Sequence, residues 1–373
     1  MSAPTSLRTV LVPWGLGSTV LSVVVLVVVL SAAGGAPQPS PGGLPDAGPV
    51  TGWGLPVVRL LVDLTGCLTV GLALVASRVI HVVPAAADEA LPAAGRVAAV
   101  WGALAVVQGV LFMSEAQAAP LLTTDLGTLR ELLGGLERSP EAQAMLAQAA
   151  LAASVVWSAG LSRTATGGGV TLTVALAAFV PQVLIGHAAA GDRLVGSTTL
   201  FLHVTAVALW VGGLAALAWA ALRGRMPLAA AVPRYSALAL WCVAAVAVSG
   251  VLNAALRLGS FGALVASGYG VLVLAKTAAL VVLAGFGWLH RQHTVERLRT
   301  WRRRGRVPEA VPVFVALAAV ELAVMAGTVA LGVGLGRTPP PASTEGAAQP
   351  GAVQPWSGSS TAVTARSAPA SAR

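Results

Sequence analysis

The sequence predicts an all-α polytopic membrane bundle of about nine transmembrane helices, with the amino terminus inside and the carboxyl terminus outside. Composition is the first reason. Of 373 residues, 56% are hydrophobic and only 10% charged, and mean hydropathy is +0.81; a soluble domain carries roughly 25% charged residues. The second is pattern: apolar runs of about 20 residues, without period-2 alternation, read as spanning helices and not as barrel strands. The third is where the arginines fall.

The apolar segments cover about 10–32, 56–78, 97–117, 141–161, 168–188, 197–221, 236–256, 270–290 and 312–336. The first follows Arg8 and precedes Ser31-Ala-Ala-Gly-Gly-Ala36, which looks like a signal-peptide end. Its apolar core, Val10 to Leu30, is longer than a usual signal core, so an uncleaved first helix is expected. Residues 33–55 and 337–373 are rich in Pro, Gly, Ser and Ala and are expected to stay flexible. The loop 115–141 carries Glu115, Asp125, Glu131, Glu137 and Glu141 and predicts a short amphipathic helix around 125–137.

Topology follows from the basic residues. With an inside amino terminus, the inner segments hold Arg8, Arg78, Arg96, Arg163, Arg223, Arg225, Arg234 and the seven arginines from Arg291 to Arg306. The outer segments hold Arg130, Arg138, Arg193, Arg257, Arg337, Arg366 and Arg373. Inner loops enriched in arginine are the signature of the positive-inside rule. The net charge of +9 is therefore a loop property, and no nucleic acid is expected as a partner. No phosphate-binding loop, Ser-His-Asp set, HExxH or CxxCH motif occurs, so the chain is not expected to be an enzyme. Cys67 and Cys242 stand alone in apolar segments and read as small fillers.

The most informative stretch runs from Gly186-His187 through Asp192-Arg193 to His203 and Trp210-Val-Gly212-Gly213. Two histidines flank a short polar loop at the outer face, and an imidazole in or beside hydrocarbon needs a partner. His187 closes helix five. His203 lies about six residues into helix six, roughly 9 Å below that face. Lys276, the single lysine of the chain, enters helix eight to a similar depth. Asn253 lies near the outer end of helix seven, Asp63 about seven residues into helix two, and Met113 and Glu115 at the outer end of helix three; Glu321 is nearer the midplane. Polar groups thus crowd into the outer half, as in a vestibule open to the outside. Lys276 is expected either to snorkel to the headgroups or to pair with Asp63 or Glu321. His203, Ala206, Val207 and Trp210 share one helical face, and Gly212-Gly213 lets a neighbouring helix approach. Imidazoles with a nearby thioether or carboxylate suit copper, and zinc or nickel less distinctively. Two histidines are an incomplete set, which Met113, Glu115, Asp192 or water would complete.

From Pro181 to about Pro341 the chain resembles the CopD family of copper-resistance inner-membrane proteins. The matching stretches are His203-Val-Thr-Ala-Val-Ala-Leu-Trp210-Val-Gly-Gly213-Leu, Arg234-Tyr-Ser-Ala-Leu-Ala-Leu, Ser249-Gly-Val-Leu-Asn253-Ala-Ala-Leu-Arg257-Leu, Tyr269 through Lys276, and Val320-Glu321-Leu leading to Thr338-Pro-Pro-Pro341. The resemblance implies a multi-pass protein of the bacterial cytoplasmic membrane, with copper moved across the bilayer or received from a periplasmic CopC-like carrier. The family's landmarks fall on His187, His203, Trp210, Asn253, Lys276 and Glu321. Relatives are often fused to or encoded beside a CopC-like β-sandwich. Residues 33–55 hold neither His nor Met, so either a separate carrier supplies the metal or the site binds it weakly alone. The expected organisation is a first helix or signal anchor (1–35), N-terminal membrane helices with an acidic outer loop (36–165), CopD-like helices (166–336) and an outer tail (337–373). The metal ligands expected are His187, His203, Met113 and Glu115, with Trp210, Asn253, Lys276, Glu321 and Asp63 in support. Two other classes stay open: a haem-binding or electron-transfer membrane protein, which needs facing histidines, and an assembly factor for a copper oxidase.

Overall fold

The computed structural model describes residues 5–40, 42, 44–80, 84–123, 125–161, 163–185, 193–224, 227–258, 260–303 and 307–339. Among the described residues there is no strand, and nine helical spans are long and apolar enough to cross a membrane. This is the arrangement hydrocarbon demands, because a helix satisfies its backbone N–H and C=O groups internally.

The helices are α1 (Thr5–Ala32), α2 (Gly48–Ala76), α3 (Pro84–Ala116), α4 (Leu126–Leu136), α5 (Pro140–Leu161), α6 (Ala165–Ala177) and α7 (Val180–Ile185). There follow α8 (Arg193–Val207), a π-helical turn (Ala208–Gly212), α9 (Gly213–Leu222), α10 (Leu228–Leu258), α11 (Ala263–Ala266), α12 (Gly268–Arg303) and α13 (Val307–Arg337). Two spans are composite. α6 and α7 form one, broken at Ala178-Phe179, and α8, the π turn and α9 form another. The short helix expected around 125–137 is α4, capped by Asp125, whose side chain accepts the Thr128 N–H.

Several boundaries differ materially from expectation: α2 begins before residue 56, α3 begins at Pro84 and not at 97, and α12 runs on to Arg303 and not to 290. α2 begins at Gly48, so residues 48–55 are helical and not part of a flexible linker. Proline in its first turn costs no hydrogen bond, and Thr51 is buried with its hydroxyl 2.7 Å from that of Ser114 on α3. Asp63 therefore lies fifteen residues along α2 instead of seven.

Packing defines two ends of the bundle. At one, the α3 terminus meets α13 through the Glu115–Arg337 ion pair, and a Cβ on Gly35, just past α1, would touch the side chain of Thr338 at 3.4 Å. At the other end, Arg223 after α9 reaches Glu89 on α3 at 3.5 Å and stacks over Trp219, while Arg234 on α10 donates to the Ile80 carbonyl at 3.2 Å. Arg223 and Arg234 belong to the set expected inside.

The main core joins α2, α3, α5, α6, α9, α10 and α13. Trp101 is fully buried on α3, packed on Gly66 of α2 and tilted against Phe179 at 5.2 Å. α1 adds a smaller cluster, in which Leu26 and Leu30 meet Leu60, Ala330 and Val333.

Candidate metal-handling site

The site is organised around one backbone crossing. α2 and the α8–α9 span pass so closely that a Cβ on Gly71 would lie 1.8 Å from the Gly212 carbonyl oxygen, and one on Gly212 would lie 1.8 Å from the Cys67 carbonyl oxygen. Only residues without a side chain permit this approach. Gly213 faces the ring of Tyr235 and Leu74 in the same way. The close approach expected of Gly212-Gly213 is therefore present, with α2 and α10 as the neighbours.

The crossing coincides with the π turn. A π turn widens the helix by one residue and is frequent at functional sites. The Trp210 carbonyl within it accepts the hydroxyl of Tyr235, both residues being buried. Glu321 of α13, 6% exposed, lies within electrostatic reach of Tyr235. Trp210, Tyr235 and Glu321 thus form a polar group at the waist of the bundle.

Nine residues before Gly212, His203 faces α10. Its Nδ1 is 2.9 Å from the Ser249 hydroxyl, and its Cε1 is 3.8 Å from the point a Cβ on Gly250 would occupy. Ser249 is buried, and its hydroxyl also donates to the Ala245 carbonyl. A hydroxyl has one proton. If that proton goes to Ala245, the Ser249 oxygen must accept from His203, which assigns the hydrogen to Nδ1. Nε2 is then left with its lone pair, the atom a metal would take. Asn253, one turn further along α10, donates to the Ser249 carbonyl at 2.8 Å.

One charge lies near this imidazole. Lys276 on α12 lies within electrostatic reach of both His203 and Asp63. Its Nζ is 3.4 Å from the Cβ position of Gly332 on α13. Asp63 is held by Arg59, with Nε to Oδ2 at 3.4 Å. Lys276 and Asp63 thus lie within electrostatic reach of each other without forming a salt bridge.

Two expected ligands are placed elsewhere. Met113 is buried in a separate cluster with Leu132, Leu136 and Ala142, its thioether over Gly135 of α4. Glu115 pairs with Arg337. The reason is that the end of α3 turns towards α4 and α13, whereas His203 packs on α10. His187 and Asp192 lie outside the described residues. Among the described residues no group of three or more His, Cys, Asp or Glu side chains could hold a metal ion. Sequence reasoning assigned no role to Ser249 or Tyr235. Ser249 had one available signal: it precedes Asn253 by one helical turn, after the apolar run 237–248.

The chain is a helical membrane bundle in which a buried serine contacts one imidazole. The family described as copper resistance protein D matches residues 229–335, less than a third of the chain, a partial resemblance. That region includes Tyr235, Ser249, Asn253, Lys276 and Glu321 and leaves His203 and Trp210 just before it, so it is narrower than 181–341. The chain is also similar to the copper transport protein CutJ of Bacillus subtilis (strain 168), with 31% identity over 135 residues. That similarity covers 32% of this chain and 23% of the relative. No solved structure gives a significant match.

Proposed function

We propose that this protein handles copper in the membrane, with His203 as a transient receiving ligand for an ion on its way across the bilayer. The observation that carries the reading is the Ser249 contact, which favours an imidazole with Nε2 as the coordinating atom. The CopD match and the similarity to a copper transport protein support copper as the metal.

The surroundings suit passage better than storage. A lone neutral imidazole binds copper, but Lys276 opposes a second positive charge nearby, and Asp63 offsets that repulsion only in part. Conduction needs binding that is favourable enough to admit an ion and weak enough to release it. In this reading the end of the bundle holding Glu115 and Arg337 is outside, and the end holding Arg223 and Arg234 is in the cytoplasm. His187, which the sequence puts at the outer face, takes the ion from a periplasmic carrier of the CopC type and passes it inward to His203. The chain acts as a carrier and not as an enzyme.

The test is copper accumulation in cells producing wild type or His203→Ala, with membrane insertion followed by a carboxyl-terminal topology reporter. Lower copper with unchanged insertion is the expected result. Equal copper content in the two strains would contradict the proposal.

A further inference from the structure

A second feature lies away from the histidine, where α3 and α5 diverge at the end of the bundle opposite Glu115. The helices pack antiparallel through small residues: a Cβ on Gly95 would meet Ala159 at 3.6 Å, and one on Gly102 would meet Ala149 and Ala152 at 3.4 Å. Near Gly160 the contact opens, with nothing within 4 Å of its Cβ position. The result is a groove of about 280 Å³ whose apolar floor is Leu91, Gly95 and Ala159, with Ala99, Val156, Arg96 and Arg163 around it.

Both arginines are exposed, and no carboxylate lines the groove. The Arg96 Nε donates to the Pro92 carbonyl at 3.2 Å, which fixes the guanidinium at its root and leaves its terminal nitrogens free for another partner. Neither arginine forms an ion pair with a carboxylate among the described residues. Arg163 follows the last turn of α5, and Arg96 stands beside it on the neighbouring helix.

We infer that this groove binds an anionic phospholipid, its phosphate held between Arg96 and Arg163 and an acyl chain lying along Ala99, Val156 and Gly160. The argument is charge complementarity joined to position. Paired guanidinium groups match phosphate oxygens. The apolar floor continues into the membrane-spanning part of both helices, where lipid tails are the solvent. Basic pockets between transmembrane helices are recognised lipid headgroup sites. A soluble anion would use the arginines and ignore the floor. A lipid uses both.

The experiment is native mass spectrometry of the full chain released from detergent after incubation with phosphatidylglycerol or phosphatidylcholine of matched acyl chains. Inorganic phosphate serves as competitor. Wild type should retain phosphatidylglycerol roughly tenfold better than phosphatidylcholine. Arg96→Gln/Arg163→Gln should abolish that preference, and Gly160→Leu, which fills the groove, should reduce retention of both lipids. Should Gly160→Leu fold poorly, the arginine pair decides, since both residues are exposed. Equal retention by wild type and the arginine variant would overturn the inference. So would displacement of the lipid by inorganic phosphate, or a dimer lost in Gly160→Leu, which would assign the groove to a second copy of the chain.

Discussion

Gly71 and Gly212 meet backbone to backbone: a Cβ on Gly71 would stand 1.8 Å from the Gly212 carbonyl oxygen. This contact joins the N-terminal helices to the span that carries His203. Gly212→Ala should therefore prevent correct packing, with destabilisation above about 4 kcal/mol and loss of folded protein in detergent. Gly327→Ala is the control, because nothing lies within 4 Å of its Cβ position. Comparable fluorescence-detected melting of the two variants would show that the crossing is not needed.

Tyr235 completes the π turn by donating to the Trp210 carbonyl. Tyr235→Phe removes the donor and leaves a buried acceptor with one partner fewer. A loss of about 1–2 kcal/mol is expected, read as a lower thermal midpoint. Wild-type stability in the variant would mean that the carbonyl finds another donor.

Asp63 answers two cations, Arg59 at 3.4 Å and Lys276 at longer range. Asp63→Asn should destabilise by about 2 kcal/mol, less than for a fully buried pair, because the side chain is 23% exposed. Lys276→Met introduced alongside should recover part of that loss, giving a positive coupling in a double-mutant cycle. Strict additivity would separate the two residues.

Asp125 lies outside the spans. Its hydrogen bond from the Thr128 N–H holds its carboxyl below the usual carboxylate range. Since the folded value is below the unfolded one, its contribution to α4 is fully present above the unfolded value and is lost as pH falls through the folded value. Amide exchange in α4 should quicken over that acidic window relative to the rest of the protein. Asp125→Asn, which keeps the acceptor without the titration, should remove the pH dependence.

The spans were legible because length and hydropathy carry the physics: hydrocarbon requires long helices of apolar residues, and each of the nine segments overlaps one of the nine described spans. Asp125 before an amphipathic run marked α4. Gly212-Gly213 marked a close approach, but not which helix would approach, because small residues permit contact without choosing a partner. The site was only partly legible. Depth counting placed Met113 level with His203, yet depth says nothing about direction around the bundle axis, and α3 carries Met113 to α4. Ser249 stayed hidden because serine is ordinary in membrane helices, and its role arises only when α10 is laid against α8.

Copper titration of the purified full-length chain in lipid nanodiscs, comparing wild type with His203→Ala and Ser249→Ala, tests the central claim most directly. The account predicts the weakest copper binding in His203→Ala. Ser249→Ala should fall between the two, at roughly tenfold below wild type, as expected for a residue that orients a ligand. Unchanged copper affinity in His203→Ala would contradict it.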